Sequence, residues 1–450
     1  MAERILLRAS HIVTMDAQRR IIPDGAVVVH NRVIERVLTS QEYERMLPFE
    51  GDVLDVRPLV VIPGFVQTHI HLCQTLFRGL ADDLELLDWL TLRIMPFEAA
   101  HNASSMYVSA MIGLTELVRS GTTTIMDMGS VHHEEEVIRA VTESGMRAFV
   151  GKAMMDVNDL YPPLKESTRA ALDTTRAFAE QTHGADGGRL RYAVAPRFIL
   201  SCTDALLREA YEMTKAFPGM LFHTHAAENR QEMEAVRKRC AMDNVEYFEV
   251  LGILHHNTCL AHCIWLNDRE IELMRTRDAK ILHCPSSNLK LGSGIAKIPL
   301  YHRRGITVSL GADGAPCNNT LDMFHEMRLA ALVQKPLYGP TAMDARLVFE
   351  MATVGGATAL GIAHEVGSVE EGKKADLVLL DLQRAWNPYA INAHDDLFSA
   401  IVYSCTPENV HSVMIDGTWV YRDRSHRTLD VEALRAQAAI ELRKLLARMA

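Results

Sequence analysis

The chain has 450 residues, 48% hydrophobic and 23% charged, with a formal net charge of −10. This is the composition of an ordinary globular protein, and its acidic balance argues against nucleic acid or an anionic membrane surface as the main partner. No apolar run approaches the length of a membrane span, and Met1-Ala2-Glu3-Arg4 leads straight into Ile5-Leu6-Leu7, so neither a span nor a secretory signal is expected. The eight cysteines include no CxxC pair, a pattern of free thiols in a reducing cytoplasm rather than of a disulfide framework.

Residues 1 to about 58 read as short strands at 5–8, 11–15, 26–29 and 33–37, broken by Pro23-Asp24-Gly25 and His30-Asn31-Arg32. The middle of the chain alternates, with strands expected at 59–68, 122–128, 147–154, 190–196, 220–225, 258–262, 280–284 and 306–311 and helix-like stretches between them. Eight strands alternating with helices is the pattern of an α/β fold of the (β/α)8, TIM-barrel type. Strands return at 375–380 and in a hairpin, 412–415 and 418–421, around the turn Asp416-Gly417. A small β-sandwich domain built from 1–58 and 365–425 is therefore expected. The barrel would occupy 59–364 and a C-terminal helix 426–450.

Barrel active sites form at the C-terminal ends of the strands, so each expected strand is read for its last polar residues. The first ends on His69 and His71, the fourth on Arg197, and the fifth on His223 and His225 with Glu228 beyond. The sixth ends on His262, the seventh on His283 and the eighth on Asp313. Residues i and i+2 of a strand share a face, so His69-Ile70-His71 is either a bite on one divalent metal or a pair of buried, hydrogen-bonded histidines. Three imidazoles and a carboxylate from strands 1, 5 and 8 would suit zinc, with iron as the alternative.

The run Pro63-Gly64-Phe65-Val66-Gln67-Thr68-His69-Ile70-His71, followed by His225, His262 and Asp313, resembles the amidohydrolase superfamily over essentially the whole chain. Within it, the chain is similar to the cyclic amidine deaminases that act on purines and s-triazines. The resemblance implies that His69, His71, His225 and Asp313 are metal ligands and that Glu228 shuttles protons with Asp313. It makes His262 the group that polarises the attacking water or the departing group. Arg197 stands where the binuclear branch carries lysine, which implies one metal ion per subunit. The implied reaction is hydrolytic release of ammonia from an N=C–NH2 unit of the ring by metal-activated hydroxide.

For the substrate the resemblance divides. Segments 69–79, 283–291 and 311–319 are similar to deaminases of 5′-deoxyadenosine, methylthioadenosine, S-adenosylhomocysteine and adenosine. Segments 151–156, 196–202 and 228–230 are similar to guanine deaminase, and an s-triazine amino- or chlorohydrolase is a third reading. Trp89, Glu98, Lys152 and Arg197 are the substrate-binding residues by this resemblance. Arginine, a pure donor, suits a ring carbonyl better than adenine. The expected partner is a small purine or related heterocycle handled by a cytoplasmic homo-oligomer, with no nucleic acid and no membrane. His132, His223 and His283 are left without a role.

Overall fold

The computed structural model describes residues 4–159, 161–385, 397–427 and 429–449. The leader reading at residues 1–3, positions 386–396 of the expected terminal domain, and 428 and 450 of the expected C-terminal segment lie outside the described residues.

The middle of the chain closes into a parallel barrel. Its strands follow chain order: Phe65–His71, Thr122–Asp127, Arg147–Val150 with Ala153–Met154, Leu190–Pro196, Leu221–Ala226, Thr258–His262, Lys280–His283, and Val308–Leu310 with Asp313–Gly314. The last position closes the ring, because Ile281 to His283 register with Val308 to Leu310 while Asp313 and Gly314 pair with Ile70 and His71 of the first strand. Val66, Met126, Phe149, Leu221, Cys259, Ala261 and Leu282 pack inside the barrel against Ala357, Ala359 and Leu360, at or just beyond the helix Val354–Ala359. That plug fills the barrel away from the strand ends and leaves the polar chemistry at their C-terminal rim.

The apolar run 59–68 is not the single strand expected. Val60–Pro63 belongs to a terminal sheet, antiparallel to Leu377–Leu380 and parallel to His11–Val13. The barrel strand begins only at Phe65. Gly64 makes the break: a β-carbon there would lie 2.1 Å from the Thr123 hydroxyl, so only glycine lets the chain cross so close to strand 2.

Two terminal sheets face each other as a sandwich. One has Arg4–Arg8 between Ala26–His30 and Asp52–Asp55, with Val33–Leu38 at its edge. The other carries Val60–Pro63, Leu377–Leu380 and the hairpin Val410–Ile415/Thr418–Arg422. Ile5, Leu7, Val27, Val29 and Ile34 of the first meet Ile12, Val61, Leu377, Leu379 and Met414 of the second. Asp416 and Gly417 both adopt positive φ in the hairpin turn, as the Asp-Gly pair predicts. The C-terminal helix starts at Val431 rather than 426, since Ser425–His426 pairs back onto Tyr421 and Arg422. Among the described residues no helix is long and apolar enough to cross a membrane, and all eight cysteines are free.

Candidate active site

Five imidazoles and two carboxylates converge at the strand ends. His69 and His71 come from strand 1, His223 and His225 from strand 5, His262 from strand 6, and Asp313 from strand 8. Asp313 Oδ1 lies 3.4 Å from His69 Nε2 and 3.3 Å from His71 Nε2. Ligand-type atoms of His69, His71 and His225, and again of His69, His262 and Asp313, lie within 4.8 Å of one another. Glu228, just past strand 5, brings its carboxylate to 3.5 Å from His262 Nε2.

The Nδ1 atoms of His69, His71, His225 and His262 are already engaged. His71 Nδ1 donates to the Met128 carbonyl and His225 Nδ1 to the Arg197 carbonyl, each at 2.7 Å. A carbonyl can only accept, so these bonds place the hydrogen on Nδ1 and leave the Nε2 lone pair facing inward. His262 Nδ1 is held at 2.8 Å by Asn288 Oδ1, and His69 Nδ1 at 2.7 Å by His223 Nε2. His69 Nε2 is buried without a hydrogen-bond partner. Nitrogen and oxygen donors aimed at one point, with both His69 Nε2 and His262 Nε2 otherwise unsatisfied, fit a divalent cation of the zinc type.

Backbone geometry aims these groups. His262 and Asp313 have φ of 71° and 61°, a left-handed conformation that costs a non-glycine residue on the order of 1 kcal/mol or more. It turns both side chains off the regular strand alternation. Gly311 permits the approach, because a β-carbon there would sit 2.6 Å from the His69 carbonyl oxygen.

The electrostatics agree with a cation site. Burial, opposed by Asp313, takes His69 down to about 4, and burial with neighbouring imidazoles drives His225 well below its ordinary value. Both are thus neutral, the form that ligates metal. Burial also disfavours charge on His71, but Asp313 beside it outweighs this and raises its pKa. Asp313 is held well below the usual carboxylate range, the imidazoles of His69 and His71 beside it overcoming its burial. Burial pushes Glu228 up to about 7, where a carboxyl both gives and takes a proton near neutrality.

Above the cluster stands a second polar group. Arg197 binds Glu98 at two points, 2.7 and 3.1 Å, and Gln74 Nε2 donates to Glu98 Oε1 at 2.9 Å. Both members of the ion pair are buried. His71, Gln74, Leu86, Trp89, Leu90, Arg197, Phe198, His225, Glu228, His262 and Asp313 line a cavity of about 20 Å³, room for roughly one water. Leu86, Trp89 and Leu90 are the aliphatic and indole part of that lining, at a helix that runs into a π-helical turn at Leu90–Ile94. The indole Nε1 of Trp89 and the Oε1 of Gln74 are buried and unpartnered.

Lys152 is not brought to this cavity. Its ammonium pairs with Glu166 and faces a separate cavity lined by His132, His133 and Glu134. Strand 3 breaks after Val150, and residues 151–152 lead to the short second segment at Ala153–Met154. His132 instead meets the Pro163 carbonyl at 3.0 Å, and His283 is buried at the end of strand 7, outside the lining. Gln74 and Asn288, which lie in segments 69–79 and 283–291 but have no role assigned from sequence, and His223, whose role was open, are the residues that hold Glu98, His262 and His69. Of the three, only His223 has a geometric signal in the sequence, by sharing a strand face with His225.

A model of the amidohydrolase family matches residues 60–420. The chain belongs to the amidohydrolase family. It is 38% identical over 445 residues to the 5′-deoxyadenosine deaminase of Methanothermobacter thermautotrophicus, covering 98% of this chain and 99% of that protein. It is 34% identical over 447 residues to the 5-methylthioadenosine/S-adenosylhomocysteine deaminase of Syntrophomonas wolfei, covering 99% of this amidohydrolase and 100% of the relative. A zinc-bound adenosine deaminase from Xanthomonas campestris superimposes with a TM-score of 0.90 at 28% identity, over 98% of each chain.

Proposed function

We propose that this amidohydrolase hydrolytically deaminates the purine ring of an adenosine derivative: 5′-deoxyadenosine, methylthioadenosine, S-adenosylhomocysteine or adenosine. The observation that carries this reading is the full-length 38% match to a 5′-deoxyadenosine deaminase, joined to the His/Asp cluster at the strand ends. His69, His71, His225 and Asp313 are the residues that would hold one divalent ion per subunit, zinc rather than iron. A bound divalent ion supplies the acidity that makes water a nucleophile near neutral pH.

The chain's own residues supply the rest. Glu228 gives its proton to the ring nitrogen beside the attacked carbon, so negative charge does not build on the ring as that carbon becomes tetrahedral. Asp313 Oδ2, 3.8 Å from His262 Nε2, takes the proton of the attacking water, and His262 steadies the new oxygen. As the carbonyl forms, Glu228 takes the hydroxyl proton of the tetrahedral centre and Asp313 gives its proton to the departing amine, which leaves as ammonia, so both carboxyls return to their starting states. With room for about one water, the cavity admits a purine only when its lining rearranges.

Arg197 raised the case for a ring carbonyl and hence for guanine. Its two terminal nitrogens are instead committed to Glu98, which favours the adenosine reading, with the pair acting as one neutral polar wall. Trp89 and Glu98 remain the substrate-side residues of this proposal. The division into a terminal sandwich and a barrel, the homo-oligomeric state and the cytoplasmic setting belong to the same reading.

The test is ammonia release from the four adenosine derivatives, guanine and melamine under identical conditions. Turnover of at least one adenosine derivative well above guanine and melamine is expected. Preference for guanine or melamine overturns the proposal.

A further inference from the structure

Two of the three ligating histidines have their hydrogen placed by a carbonyl oxygen, but His69 does not. Its Nδ1 meets His223 Nε2 at 2.7 Å, with the rings at 89° and their centroids 4.9 Å apart. An imidazole nitrogen either donates or accepts, so this contact alone leaves two tautomeric arrangements open. The surroundings choose between them. His69 Nε2 faces Asp313 Oδ1 together with the ligand atoms of His71 and His225, so a cation held there requires the His69 hydrogen on Nδ1. That hydrogen then has one acceptor, His223 Nε2.

We propose that His223 is a positioning residue of the metal site, accepting the His69 Nδ1 hydrogen and so holding the His69 Nε2 lone pair toward the ion. The backbone explains why His69 needs such an anchor. The pairing of strand 1 with strand 2 shifts register between Gln67 and Ile70, so the regular ladder is interrupted at His69 and constrains its orientation less than that of a regular strand residue. His223 stands two residues before His225 on strand 5, so one strand face delivers both a ligand and the support for another. The inference rests on the metal-site reading above.

The test is zinc affinity, measured by competition with a chromophoric chelator on the full-length protein, together with the melting temperature of the metal-free form. His223→Leu keeps a similar volume but removes the acceptor, and is expected to bind zinc 10- to 100-fold more weakly. His223→Gln places an amide oxygen at similar reach and is expected to recover most of that loss, a rescue that a merely space-filling role does not produce. Wild-type affinity in the leucine variant, or equal losses in both variants with unchanged melting, overturns the proposal. Should the leucine variant fail to fold, nitrogen-15 histidine spectra of the zinc-loaded wild type decide. A protonated His69 Nδ1 supports the assignment, and an unprotonated one overturns it. Full zinc affinity in His69→Ala would instead remove the metal-site reading itself, and this inference with it.

Discussion

The lower half of the site, His69, His71, His225 and Asp313, is built on barrel strands, whereas the upper half joins Gln74, Trp89 and Glu98 from the segment after strand 1 to Arg197 from the end of strand 4. In the lower half each ligand-type side chain has its second nitrogen or its backbone fixed at the end of a barrel strand, the nitrogens by a group on or just past another strand. In the upper half the decisive contact is an ion pair between residues 99 positions apart. On the proposed reading, the strands would hold the metal chemistry and the connecting segments the wall that selects a substrate. Chemistry and selection can then change independently, and mutations in the two halves should fail in different ways.

Glu228→Gln breaks the lower half most severely. Turnover should fall by about 10²–10⁴ with metal content and melting temperature unchanged, read by ammonia release and elemental analysis. Unimpaired turnover would remove Glu228 from the proton path.

Arg197→Gln attacks the upper half. It leaves the buried Glu98 carboxylate without its cation, which should cost roughly 3–5 kcal/mol in denaturant unfolding. Adding Glu98→Gln should restore much of that loss, while zinc affinity stays near wild type in both. If zinc is lost with Arg197, the two halves are not separable.

A smaller effect concerns the support beneath the lower half. Glu326 accepts hydrogen bonds from Ser286 and Asn318, tying together the loops after strands 7 and 8. Burial raises its carboxyl to about 8, against about 4.3 in an unfolded chain. Its contribution to stability is therefore complete below about pH 4.3 and is lost as pH rises through 8. Glu326→Gln should flatten the fall of melting temperature between pH 6 and 9, and an unchanged slope would show that Glu326 is not the group responsible.

Lys152→Met should change least. Because the ammonium pairs with Glu166 over a separate cavity, kcat/KM for an adenosine derivative should stay at the wild-type value. A large rise in KM would return Lys152 to the substrate wall.

The same division explains what could be read from the chain. The barrel was legible because strand and helix periodicities alternate eight times, and the cluster because each of its members terminates a strand. The run 59–68 misled because burial on both faces makes the sandwich strand and the barrel strand equally apolar, and only the crowding of Gly64 against Thr123 separates them. The Arg197–Glu98 pair, the Gln74 bridge and the displacement of Lys152 left no local pattern, since each depends on where distant segments meet. His223 lay between the two cases, visible by register but assignable only through its contact with His69.

The account stands on a metal-dependent cluster at the strand ends, and the most direct measurement is turnover of 5′-deoxyadenosine against metal content. Ammonia release should vanish when chelation strips the protein and return in proportion to added zinc, saturating at one equivalent per chain. Undiminished release from protein shown by elemental analysis to be metal-free would contradict it.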